Sequence, residues 1–563
     1  PGKTRLHVSE RNSCSPFSQW ARGLDMARGD LVWIAESDDF CDPAFLEHLV
    51  PLFANPAVNL AFGFTVFTDE TGQAGQWTMR DYLPELGPEF WERPFTNSAH
   101  NLANVMWSRR NLMPNVSGLL LRPAPQLALL RDPQWASLRV CGDWWLYLAL
   151  ARGGMVAYHP QARNYYRQHP GNTSVSEHKS KRYIEEHLLL AEQVLALYAL
   201  DEAACRRLRQ ELLDRCDSHI EGELPAALAA RIDAVQPRRP FSGRLPNVLV
   251  VTYALVAGGG EIMPLRLANL LHRAGYGVTV LDCAQLPEQP GVRDMLQTGV
   301  PLVSLDDLRQ LPALVRDLGT DVIHSHNAWV DSAVCELLRD QCRVPHVITS
   351  HGMYDALDDE QVERLGALLR PWISAVAYVA EKNRGPLMRM GFAPQRLLQI
   401  PNAFDSEPVQ PVAREALGVP AKALLLCIAS RGIREKGWQE AVEAVAIARR
   451  QTGRDIQLLI LGEGPEKLRL EQSGCPRWLH LAGFCTEVRA HFASADLGLL
   501  PSWFDGESHP LALLECLSVG RPFLTTDIGD TREMLTTTEG LAGTVLPLRD
   551  GRLDVADLAE AIA

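Results

Sequence analysis

A chain of 563 residues is longer than one hydrophobic core usually supports, which predicts three or four compact domains. Hydrophobic residues make up 46% and charged residues 22%, ordinary for globular protein, and no run of about twenty apolar residues is available to span a bilayer. The formal charge of -13 and pI near 5.7 argue against a nucleic-acid-binding surface, because phosphate backbones are held chiefly by Lys and Arg.

In chain order, residues 31–35 (LVWIA) form a short β-rich run that predicts a strand. The acidic stretch Glu36-Ser37-Asp38-Asp39 follows, and Asp42-Pro43 reads as the N-cap and first turn of a helix through AFLEHLVPLF. Glu36, Asp38 and Asp39 then lie at the strand end where open α/β sheets bind ligands. Their hard oxygens suit Mg²⁺ or Mn²⁺ on a diphosphate, although locally the stretch reads first as an acidic surface loop. Asp143, ahead of WWLYLALA, reads locally as a helix cap, and His169 in YRQHPG as a structural hydrogen-bonder or a metal or phosphate contact. Residues 176–245 show helical periodicity and alternating charge before the break QPRRPFSGRLP, and are assigned as a helical linker.

From Asn247 the pattern alternates strand and helix. NVLVVTYALV runs through a triple glycine into EIMPLRLANLLHRAGYG, and the strands VTVLD, DVIHSH and PHVITSH follow. A second set, LLLCIAS, IQLLILG, LHLAGF, ADLGLLPS and PFLTT, begins near Leu424. Two doubly wound parallel sheets in tandem, with a cleft between them, are expected.

After LLLCIAS, Arg431 and Lys436 lie at the start of the helix WQEAVEAVAIARR, where cations oppose the helix dipole unless an anion sits there. A phosphate site and a solvated basic turn both fit. Glu507 lies near the entrance of the helix after ADLGLLPS, either for favourable dipole placement or for function. Glu515 falls inside LALLECL, where a carboxylate needs a polar partner, in a structural ion pair or a ligand. His351 in TSHGMYD and Asn402 in IPNAFD also read locally as structural groups.

Taken together, residues 247–563 resemble the family 4 glycosyltransferases of GT-B fold. Gly258-Gly259-Gly260-Glu261 is similar to the family's GGxE loop, Arg431 with Lys436 to its RxxxxK pair, and Glu507 with Glu515 to its E-x7-E. The resemblance implies a retaining transfer without a metal cofactor. Arg431 and Lys436 would hold the donor diphosphate, Glu515 the ribose, Glu507 the donor sugar, and His351 would face the acceptor. Gly258 and Gly259 would admit close backbone approach, and Asn402 matches the family's PNG(V/I)D turn. Ala403, Ala380 and Ser508-His509-Pro510 depart from the family's usual residues.

Residues 1–175 resemble the family 2 glycosyltransferases of GT-A fold, through ERNSCSPFSQWARGLDMARGD, WIAESDDFCDPAFLE, GDWWLYLALARGGMVAYHP and YYRQHPGNTS. That resemblance implies a divalent cation held by Glu36, Asp38 and Asp39, with Asp143 as the acceptor-activating base. The family's opening βαβ segment is absent from the sequence. With no initiating Met at Pro1 and an unfinished helical pattern at Ala563, the chain reads as a fragment with a truncated GT-A-like Rossmannoid domain.

The expected organisation is therefore a partial GT-A domain (1–175), a helical linker (176–245), a GT-B acceptor-side domain (246–410) and a GT-B donor-binding domain (411–563). The implied partners are a nucleotide-sugar donor and a glycan or lipid-linked acceptor of bacterial surface polysaccharide synthesis. Alternatives are a non-catalytic acceptor-positioning role for the N-terminal module, and sugar-nucleotide epimerisation on the GT-B fold. The 12 scattered cysteines, with no CxxC pair, suit a reducing cytosol. Any membrane contact would be peripheral, at the cytoplasmic face of the inner membrane.

Overall fold

A computed structural model describes residues 4–563 apart from 9, 11, 12, 14, 170–179, 221 and 404–407. Part of ERNSCS, the end of YYRQHPGNTS, the start of the proposed linker and Phe404-Asp405 of IPNAFD lie outside the described residues.

The N-terminal sheet is mixed. Its centre is the parallel pair β2 (Val58–Thr68) and β5 (Met155–Arg167), flanked by antiparallel β1 (Phe40–Cys41), β3 (Phe95–Ser98) and β4 (Leu119–Leu121). The strand expected at 31–35 does not form. Val32 makes a single bridge to Leu121, and beyond it the facing chain is a turn at Val116–Gly118, so Trp33 Nε1 donates to the Ser117 carbonyl in place of a ladder. Nor does Asp42 cap a helix. The Tyr165 hydroxyl on β5 donates to its carboxylate at 2.9 Å, and the helix begins at Phe45.

The stretch expected to be a linker is helical, but it belongs to the N-terminal core. Helix Lys181–Leu197 buries Ile184, Leu188, Ala191 and Leu195, an i, i+4, i+7, i+11 stripe, and Glu202–His219 packs beside it. Alternating charge lies mostly on the outer faces of these helices, apart from the largely enclosed Glu211–Arg215 pair. Glu186 also turns inward: its carboxylate accepts from the backbone amides of Arg139, Val140 and Cys141 at 2.8, 2.7 and 3.0 Å, just ahead of the helix Gly142–Ala151 that carries Asp143. Glu186→Ala orphans these three amides and is expected to destabilise the N-terminal unit by about 3 kcal/mol, measured by urea unfolding; a loss below about 0.5 kcal/mol would contradict this role.

The remaining chain is built on two wholly parallel sheets, with two short antiparallel hairpins near its end. The first runs β12-β11-β10-β9-β6-β7-β8, from β6 (Asn247–Thr252), β7 (Gly277–Asp282), β8 (Leu302–Ser304), β9 (Val322–Ser325), β10 (His346–Ser350), β11 (Ile373–Tyr378) and β12 (Leu397–Gln399). The second runs β15-β14-β13-β16-β17 and then Gly543–Leu546, from β13 (Leu424–Ala429), β14 (Ile456–Leu461), β15 (Leu479–Gly483), β16 (Leu497–Leu500) and β17 (Phe523–Thr526). The second has the doubly wound 3-2-1-4-5-6 order and the first the same order with a seventh strand added after the sixth, with switch points between β6 and β9 and between β13 and β16.

The N-terminal unit docks against the opposite edge of the first sheet, where its strands begin. Arg152 is buried and donates to the carbonyls of Leu245 and Gly275, both at 2.6 Å, while Asn59 donates to the Gly299 carbonyl at 3.0 Å. Gly153 has φ +78° and a Cβ there would lie 2.7 Å from the Val278 carbonyl oxygen, so only glycine permits this approach.

Candidate active sites

The C-terminal strand ends of the two parallel sheets face one another across a cavity of about 800 Å³. Gly258 precedes the helix Gly259–Arg273 and is fully extended, and a Cβ on it would strike the Glu261 carboxylate at 2.1 Å. Burial pushes the Glu261 carboxyl up, and Arg431 opposes the shift from across the cleft.

Arg431 and Lys436 leave β13 and precede the helix Trp438–Thr452. Between Lys436 and that helix, Gly437 has φ +73°, and a Cβ would lie 2.1 Å from the Pro501 carbonyl oxygen. This tight turn packs Lys436 under the loop after β16. There it is buried and ion-paired to Glu507, itself buried, and Phe504 lies beneath both cations, 5.1 Å from Lys436 Nζ and 5.9 Å from Arg431 Cζ.

Glu515 lies in the helix Leu511–Leu517 and pairs with Arg266 of the facing unit, the polar partner its apolar setting demands. Further ties cross the same cleft: Asn402 Nδ2 donates to the His509 carbonyl at 2.8 Å, and Asn383 Nδ2 to Ser508 Oγ at 2.9 Å. His351 lies after β10 with Nε2 3.1 Å from His326 Nδ1. Gly258, Gly259, His351, Asn402, Arg431, Lys436, Glu507 and Glu515 therefore all line one cavity. Sequence reasoning missed Arg266 and His326. The position of His326 at the end of the switch-point strand in DVIHSH was a usable signal; nothing local marked Arg266.

In the N-terminal unit, single carboxylate oxygens of Glu36, Asp38 and Asp39 lie within 4.8 Å of one another, a spacing one hard cation can bridge. Asn115 Nδ2 donates to Asp39 at 2.8 Å, the Arg167 amide donates to it at 3.1 Å, and His169 Nε2 is 3.3 Å from Asp38. Burial, then Asp39, Asp38 and Asp143, push Glu36 up to about 7. Asp143 lies in the first turn of its helix, half-buried, and desolvation raises it to about 7 although Asn111 donates to it at 3.1 Å.

Residues 2–110 match glycosyl transferase family 2, residues 257–408 glycosyltransferase family 4 and residues 422–563 the glycosyl transferases group 1. The chain joins a family 2 glycosyltransferase segment to a family 4 and group 1 pair. Asp143 and His169 lie beyond the matched family 2 segment. TuaC of Bacillus subtilis, named for teichuronic acid biosynthesis, is 28% identical over 38% of this chain and 55% of its own. WcaL of Salmonella typhimurium, named for colanic acid biosynthesis, is 29% identical over 36% of this chain and 49% of its own. The chain thus spans about half the length of these relatives. Anabaena HepE in complex with UDP-glucose superposes with TM-score 0.47 at 17% identity, over 56% of this chain and 88% of that one. Among the described residues, no helix is long and apolar enough to cross a membrane.

Proposed function

We propose that this chain transfers sugars from nucleotide-diphosphate donors to a glycan or lipid-linked acceptor in bacterial surface polysaccharide synthesis, at the cytoplasmic face of the inner membrane. The observation that carries the reading is the single cavity holding Arg431, Lys436, Glu507 and Glu515, two cations from the connection after β13 and two acids from the loop and helix after β16. Arg431 and Lys436 neutralise the departing diphosphate, which removes the need for a metal there. Glu515 binds the ribose hydroxyls and Glu507 the donor sugar. The glycines at 258 and 259 let backbone amides meet the reacting groups. The relatives named for surface polysaccharides support the acceptor class.

In the N-terminal unit, Glu36, Asp38 and Asp39 hold Mg²⁺ or Mn²⁺, which supplies positive charge to a diphosphate when bound. Asp143 takes the acceptor proton, and a carboxyl raised to about 7 is suited to that task near neutral pH.

Thermal unfolding of the whole chain against a panel of sugar nucleotides tests both halves. A donor at about 100 times its Kd stabilises by about 2.7 kcal/mol. Stabilisation at the C-terminal cleft is expected without metal and is lost in Arg431→Ala. Any contribution of the N-terminal unit is expected to need Mn²⁺ and to vanish in the Asp38→Ala, Asp39→Ala double variant. No response to any sugar nucleotide, with or without Mn²⁺, would sink the reading.

A further inference from the structure

Two histidines at neighbouring strand ends share one hydrogen. His326 follows β9 and His351 follows β10; their rings are 5.4 Å apart and 20° from parallel, with His326 Nδ1 3.1 Å from His351 Nε2. Burial lowers His351 to about 4 and His326 well below its ordinary value, so both are neutral near pH 7. A neutral imidazole carries one N–H, and one ring must donate while the other accepts. The far nitrogen of His326 decides which. His326 Nε2 is buried and has no hydrogen-bond partner among the described residues. A buried N–H without an acceptor is rarer than a buried lone pair without a donor. The hydrogen of His326 therefore lies on Nδ1 and points at His351, whose Nε2 accepts it. The hydrogen of His351 is left on Nδ1, which has no protein hydrogen bond among the described residues.

The surroundings hold this pair in register. Asp331, fully buried, accepts from the hydroxyls of Ser325 and Tyr354, one residue before His326 and three after His351, so the two loops are tied to one carboxylate. His324 stacks 4.4 Å from His326, but its Nε2 is engaged with Thr349 Oγ1 at 2.7 Å and does not compete.

We infer that His326 is a positioning residue that fixes His351 as its Nδ1–H tautomer, so that His351 meets a substrate oxygen in the cleft as a hydrogen-bond donor and not as a proton acceptor. The substrate part of this rests on the glycosyl-transfer reading; the tautomer part does not.

Nitrogen-15 histidine NMR of the whole chain at neutral pH without ligand reads the tautomer directly, with His351 assigned by its loss in His351→Gln. The expected wild-type spectrum shows His351 protonated at Nδ1. In His326→Leu it reverts to Nε2–H, the form an unconstrained neutral histidine side chain prefers, whereas His326→Asn, whose amide overlays the Nδ1 position, retains Nδ1–H. Transfer by His326→Leu is expected to lose about ten- to hundredfold in kcat with little change in donor KM, and His326→Asn to recover most of it. An Nε2–H His351 in the wild type, or an unchanged tautomer in His326→Leu, overturns the inference. Should His326→Leu fail to fold, the wild-type spectrum alone decides. The spectrum needs no substrate, so the tautomer is settled whether or not the chain transfers a sugar.

Discussion

Lys436→Ala is expected to cost this chain both stability and donor affinity, while the double variant Lys436→Met, Glu507→Leu regains the stability alone. Lys436 and Glu507 have side chains only 10% and 9% exposed, so alanine at 436 leaves a carboxylate enclosed without its counter-ion. Breaking such a pair from one side costs about 3–5 kcal/mol, whereas replacing both partners by apolar side chains of similar volume is often neutral or better. Donor binding follows a different rule. A charged hydrogen bond to a phosphate contributes about 1.5–3 kcal/mol, so kcat/KM should fall about 10- to 150-fold in the single variant and at least as far in the double. Chemical denaturation and initial rates of transfer separate the two effects. Transfer restored together with stability in the double variant would place the phosphates elsewhere.

The two parallel sheets were legible because strands covered on both faces read as continuous apolar runs. All nine strands anticipated between 247 and 526 occur, from β6 and β7 through β17. The three-residue strands β8 and β12 lack the length to show a pattern, and β11 (ISAVAY) interrupts its run with Ser374 and two alanines. The stretch at 31–35 has strand composition but no ladder opposite it, a matter of tertiary partners. The same limit applies to the sites. The spacing of Arg431 with Lys436 and of Glu507 with Glu515 was visible, but the partner of Glu515 stands 249 residues away at Arg266. Likewise Glu186 acts on the start of the Asp143 helix from a segment whose helical periodicity and alternating charge suggested a linker.

The docking of the N-terminal unit bears on how two transfers would be related. Arg152, Gly153 and Asn59 meet the first sheet where β6 to β8 begin, while the large cavity opens where those strands end. Within the N-terminal unit the acids lie near Arg167, at the far end of β5 from the docked Gly153 and Gly154. The two candidate sites are thus on opposite sides of the interface, with β5 and β6 lying between them. A single sugar unit cannot pass between them without leaving the first.

Asp143→Asn is expected to stabilise the N-terminal unit at alkaline pH and leave its stability unchanged in acid. In the folded chain the Asp143 carboxyl titrates near 7, raised by burial, against an ordinary value of 3.8 in the unfolded chain. Between those two values the unfolded chain has released a proton that the folded chain still holds. Unfolding therefore becomes easier as pH rises from about 4 to about 7, and the penalty is constant above that. A shift of this size corresponds to roughly 4 kcal/mol, which asparagine removes because it carries no charge to bury while still offering an oxygen to Asn111. Urea unfolding followed through the buried Trp107, Trp135 and Trp145 should show the variant and the wild type coinciding near pH 4 and separating to a plateau above pH 7. A gap that does not vary with pH would mean that the Asp143 side chain is not charged at the expense of the fold. If Asp143 also takes the acceptor proton, the more stable variant loses the metal-dependent transfer of the N-terminal unit and keeps that of the C-terminal cleft, so a position strained for chemistry is distinguished from one that merely supports the helix.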